Sequence, residues 1–154
     1  MDNATRKLCD TANYLAHNTQ LTVMVSLRAV VAAVGLCLFG VLFKAQGTHL
    51  AFHSNARLLL ISHHIWVVLQ ALTNLLAHSF SLIRFAMNFT GPCDYMISMT
   101  TSLLLRGPIV FTVYGQVWAL AAMAVERCYA TYRYRDYEKR DCTPGKLLIA
   151  IQVQ

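Results

Sequence analysis

The chain has 154 residues, 56% of them hydrophobic and 13% charged, with a formal net charge of +6. An average soluble domain carries about 25% charged residues, so this composition argues for lipid rather than water as the solvent. A basic balance in so apolar a chain belongs to the cytosolic flanks of membrane spans. No basic stripe interleaved with aromatics occurs, so no nucleic-acid partner is expected.

In chain order, residues 1–21 form a polar tail. The first apolar stretch begins only at Thr22 and is followed by no small-residue cleavage pattern, so it reads as a retained first span over 22–43 rather than a signal peptide. Its one internal charge, Arg28, suits a snorkelling anchor. Residues 44–57 make a short loop. A second span over 58–83 contains no Asp, Glu, Lys or Arg. After a loop at 84–100, a third span over 101–125 carries Arg106 and the pair Gly107-Pro108; the proline removes a backbone donor and is expected to loosen the helix. A polar segment at 126–146 leads into 147–154, which reads as the start of a fourth span, so the chain looks cut short. Each full run exceeds the ~20 residues that cross ~30 Å of hydrocarbon as a helix. A soluble bundle needs polar faces on these segments, and the first has almost none. The expected fold is all-α, a polytopic transmembrane bundle whose short loops make consecutive spans antiparallel neighbours.

Positively charged loops stay cytosolic. The tail and second loop hold Arg6, Lys7 and Arg84; the first loop and the segment after span three hold Lys44, Arg57, Arg127, Arg133, Arg135, Lys139, Arg140 and Lys146. This asymmetry places the N-terminus outside. Two N-x-S/T sequons, at Asn3 and Asn88, fall in the two segments that charge assigns outside, and are the glycosylation candidates.

Span two carries His63, Gln70, Asn74, His78 and Ser81, at intervals that a 3.6-residue period gathers on one stripe. Such a stripe faces protein or water, either as the lining of a ligand cavity (Gln70, Asn74 and His78) or as interhelical hydrogen bonds that fix packing. His63 and His64 diverge by about 100° on a helix and make a poor metal pair. The five cysteines, Cys9, Cys37, Cys93, Cys128 and Cys142, lack C-x-x-C spacing. No metal or cofactor is assigned. Arg106 lies 20 residues, or about 30 Å, before Glu126. At the far boundary it either meets a ligand carboxylate or snorkels to headgroups. Glu126-Arg127, an acid beside a base at the inner end of span three, reads either as ordinary interfacial charge or as a pair that closes in one state and opens in another.

The segment Glu126-Arg127-x-x-Ala130-Thr131, with Tyr137-Glu138 downstream, resembles the inner end of the third helix in nematode serpentine chemoreceptors of the Sra superfamily (Sra, Srab, Srb and Sre). Phe52-His53-Ser54-Asn55, Pro92-Cys93-Asp94 and Leu105-Arg106 are similar to the same group, most closely to Srab. The resemblance covers most of residues 22–150. It implies a seven-helix G-protein-coupled receptor in the plasma membrane of sensory neurons, multi-pass with its N-terminus extracellular, that detects small environmental molecules. Its implied partners are a small-molecule ligand, a heterotrimeric G protein and the lipid bilayer. Glu126 and Arg127 would then form the G-protein coupling switch. Cys93 would match a cysteine that ordinarily bonds to the second extracellular loop, which this chain lacks. Cys9 is the only other cysteine assigned outside, which leaves a Cys9–Cys93 bond open, although spacing gives it no support. Cys128 and Cys142 face a reducing cytosol, with Cys142 a weak lipidation candidate. Where relatives often carry a further cysteine before Leu-Arg, this chain has Thr101-Ser102.

The sequence therefore reads as the N-terminal portion, three spans and the start of a fourth, of a chemosensory receptor, and not as an enzyme. No Ser-His-Asp set, carboxylate pair or phosphate-binding glycine loop is present. The competing reading is a small non-receptor membrane protein that acts as an assembly or transport subunit. A further one is a truncated form that cannot signal without helices five to seven.

Overall fold

The computed structural model describes residues 3–46, 54–87, 89–132 and 149–150. Within them the chain forms α1 (Asn3–Ala16), α2 (Thr19–Gln46), α3 (Ser54–Ala86), a 3-10 turn (Pro92–Tyr95) and α4 (Met99–Tyr132), with no strand among the described residues. The fold is all-α. Three helical stretches, Thr19–Lys44, Asn55–Ala86 and Cys93–Tyr132, are long and apolar enough to cross a membrane, with mean hydropathies of 2.3, 1.5 and 1.6. Residues 149 and 150 are helical; the rest of the fourth span expected at 147–154, Asn88 and Cys142 lie outside the described residues.

The helices run past the apolar stretches from which they are expected. α2 has 28 residues, α3 has 33 and α4 has 34, or about 42, 50 and 51 Å at 1.5 Å per residue. Hydropathy marks only the part that hydrocarbon can hold. Backbone hydrogen bonding carries the helix on through flanking polar residues such as Arg57 and Arg84. α4 also continues through Pro108 without a break.

Burial follows the logic of a membrane bundle. The buried hydrophobic residues are mostly small: Ala16, Ala29, Ala56, Ala77, Ala119 and Ala122. Large aliphatic residues such as Leu27, Val31, Leu72 and Leu120 are exposed. Lipid solvates large side chains as well as a protein interior does, so close helix contact falls to small residues. α2 is apolar around its whole circumference, the pattern of a span rather than of a surface helix.

The chain divides into two compact units, residues 1–38 with 71–109 and residues 39–70 with 110–154. In the first, the segment expected as a tail folds as amphipathic α1, packed on the 3-10 turn. His17 and Asn18 join α1 to α2, and Asn18 Oδ1 caps α2 by accepting the backbone N–H groups of Gln20 (3.0 Å) and Leu21 (3.3 Å). Ser98 Oγ accepts the Thr101 N–H at 3.1 Å at the start of α4.

In the second unit α4 buries Thr112, Gly115, Ala119, Ala122 and Glu126. The 3-4-3-4 spacing keeps one face toward its neighbours. Gly115 is required there: a Cβ at this position would fall within 3.0 Å of three indole carbons of Trp66. Trp66 also meets Phe111 edge-on, with centroids 5.6 Å apart, and its carbonyl accepts Gln116 Nε2 at 3.3 Å.

Candidate functional site

The C-terminal end of α4 carries Glu126 and Arg127, the pair expected as a switch. Glu126 is 3% exposed, the last residue of the buried face, whereas Arg127 is 63% exposed, and Arg127 Nε lies 3.4 Å from Glu126 Oε2. Successive helix positions point about 100° apart, so one residue is turned into the protein and the next away from it. Burial of a carboxylate is costly without partners, and Arg127 supplies one. Parting two wholly buried charges costs about 3–5 kcal/mol. With one partner largely exposed, solvent screening brings this pair nearer the ~0–1 kcal/mol of surface pairs. The arrangement is thus an acid fixed in the protein beside a base with open access to solvent. Thr131 Oγ1 donates to the Arg127 carbonyl at 2.8 Å, tying the last turn together.

Buried polar residues mark the same unit. Asn55 is 0% exposed, in the first turn of α3, and Thr112 is 4% exposed. Sequence reasoning used Asn55 only as part of a family-like motif and passed over Thr112. Thr112 lies 14 residues, two heptads, before Glu126 and so on the same helix face, a signal that could have found it. Thr112 Oγ1 donates to Gln70 Oε1.

The polar stripe of α3 has the orientation that its period predicts. His63, Gln70, Asn74, His78 and Ser81 are all half-buried, while Ile61, Ile65, Leu69, Leu72, Leu76 and Ile83 are exposed. Gln70 is engaged by α4, and Ser81 Oγ donates locally to the Ala77 carbonyl at 3.0 Å. His63 keeps a buried Nδ1 without a hydrogen-bond partner, and His64 meets Phe39 edge-on with centroids 5.0 Å apart. Asn74, His78 and Arg106 belong to the first unit and Gln70 to the second; Arg106 is exposed.

The α3–α4 connection in the first unit is highly organised. Cys93 in the 3-10 turn is disulfide-bonded to Cys9 of α1, with Cα atoms 4.4 Å apart across 84 residues of sequence. The partner is therefore the N-terminal helix, where the family resemblance points to the second extracellular loop. Spacing alone could not show this, because the pairing depends on α1 folding onto the turn. Met96 Sδ lies 3.5 Å from Cys9 Sγ. Tyr95 is central: its ring meets His17 and Phe89 edge-on, at 5.4 and 5.0 Å, and its hydroxyl donates to the Met87 carbonyl at 3.2 Å. Arg84 donates to the carbonyls of Asp94 (2.6 Å) and Met96 (3.4 Å) and stacks 5.2 Å over Phe89. Asn3 is exposed at the start of α1, and the free thiols of Cys37 and Cys128 are exposed.

Residues 6–154 match the family model described as serpentine type 7TM GPCR receptor class ab chemoreceptor. Among curated proteins of Caenorhabditis elegans, the chain is 28% identical to serpentine receptor class beta-17 over 104 residues, covering 68% of this chain and 28% of that relative. It is 25% identical to serpentine receptor class alpha/beta-14 over 128 residues, covering 79% and 32%. To serpentine receptor class beta-11 it is 24% identical over 153 residues, covering 98% and 43%. The chain thus spans less than half the length of these relatives. No solved structure matches.

Proposed function

The chain belongs to the serpentine class ab chemoreceptor family, and we propose that it serves as part of a plasma-membrane receptor that detects small environmental molecules and signals through a heterotrimeric G protein. The observation that carries this reading is the C-terminal end of α4, where buried Glu126 holds an exposed Arg127. A G protein that approaches this end competes with Glu126 for the guanidinium, so its binding favours the state in which the pair is open. The basic excess after α4 puts this end in the cytosol. Both members of the Cys9–Cys93 bond then lie on the opposite, oxidising side, where such bonds persist. Asn3 and Asn88, in the two segments that charge assigns outside, are the proposed glycosylation sites.

For the ligand, the proposed lining within the first unit is Asn74 and His78 on the half-buried stripe of α3, with Arg106 as a cation for an acidic group. Gln70, on the same stripe but in the second unit, bonds to Thr112 and ties α3 to α4 there. The test is ligand-stimulated nucleotide exchange by a G protein in membranes containing the receptor with its full complement of helices, across a panel of small polar and volatile compounds. Stimulated exchange that Arg127→Ala abolishes supports the reading. Exchange that Arg127→Ala leaves unchanged contradicts the role given to this pair.

A further inference from the structure

α1 carries an apolar arc that the protein covers only in part. At about 100° per residue, Leu8 and Leu15 fall on one stripe, Cys9 and Ala16 on the next, and Asn3 and Asp10 almost opposite Leu8. Cys9 and Ala16 are buried at 1% and 6% exposure, whereas Leu8 and Leu15 are 58% and 44% exposed. The 3-10 turn therefore accounts for one side of the arc and leaves the other side open.

Two observations say what covers the open side. Leu15 lines an open apolar groove of about 640 Å³ together with Leu21, Val23 and Met24 of α2, so the uncovered stripe of α1 and the lipid-exposed surface of α2 form one continuous wall. Only His17 and Asn18 separate the end of α1 from the start of α2, which keeps α1 at the height where the span enters the headgroups. We propose that α1 is an interfacial helix whose Leu8–Leu15 stripe lies against the acyl boundary of the phospholipid leaflet beside α2. Lys7, exposed and about 100° round the helix from Leu8, is placed to meet lipid phosphates, and Arg6 and the sequon residue Asn3, on the face away from Leu8, are turned toward water. This placement rests on α2 being a membrane span and not on receptor activity.

The test places a benzophenone amino acid at Leu8, Leu15, Asp10 or Val31 of the full chain, inserted in phosphatidylcholine nanodiscs, followed by irradiation and mass spectrometry. All four positions are exposed, and Val31 reports on α2 itself. The expected result is phospholipid adducts at Leu8, Leu15 and Val31, several-fold above those at Asp10. Adducts at Val31 with Leu8 and Leu15 no better than Asp10 would overturn the interfacial placement and leave the span intact. Crosslinks from Leu8 or Leu15 to a second copy of the chain in place of lipid would overturn it in favour of a dimer surface. No lipid adduct even at Val31 would remove the span on which the inference rests.

Discussion

Glu126 and Arg127 are neighbours in sequence in opposite surroundings, 3% and 63% exposed, and that contrast fixes what each substitution should do. Glu126→Gln keeps the shape of the side chain and removes its charge, releasing Arg127. With a pair worth ~0–1 kcal/mol, basal nucleotide exchange should rise by about fivefold at most. Arg127→Ala should abolish stimulated exchange while surface expression holds, because the arginine is exposed. Cys9→Ser should leave the Cys93 thiol open to an impermeant maleimide on intact cells, whereas unaltered protein should show no labelling at Cys93. The acid-base pair was legible in the sequence because adjacency is itself a sequence property. The Cys9–Cys93 bond was legible only as an open pairing of the two cysteines assigned outside, and the burial of Asn55 was not, since both depend on which segments fold together.

At the scale of elements, glycines with different surroundings separate packing from propensity. A methyl group added at Gly35 would meet nothing within 4 Å, whereas one added at Gly115 would run into Trp66. Gly35→Ala should therefore be neutral or stabilising by up to about 1 kcal/mol through helix propensity. Gly115→Ala should destabilise by about 1–3 kcal/mol through overpacking against the indole. Thermal unfolding in one detergent compares the two directly. Asn18→Ala removes the side-chain acceptor for two backbone N–H groups of α2 and should cost about 0.5–2 kcal/mol. The three long helices were visible in the sequence because hydropathy over some 20 residues is a strong signal. α1 was not, although Leu8, Cys9, Ala12, Leu15 and Ala16 carry helical spacing. A polar tail with five moderately apolar positions has low average hydropathy, and only its period betrays the helix.

For the whole molecule, the decisive pattern is large aliphatic residues outside and small residues within, in a chain of a seven-helix receptor family. Composition foretold the membrane, but it could not say which alanines and glycines meet a neighbour. The receptor reading also requires an orientation: the disulfide-bonded α1 outside, the Arg127 end of α4 in the cytosol. Cys128, a free and exposed thiol beside Arg127, reports on that requirement directly. The measurement is labelling of Cys128 by a membrane-impermeant maleimide on intact and on permeabilised cells, read by mass spectrometry of its peptide. The account predicts modification only after permeabilisation. Modification of Cys128 on intact cells would put the proposed G-protein surface outside the cell and contradict it.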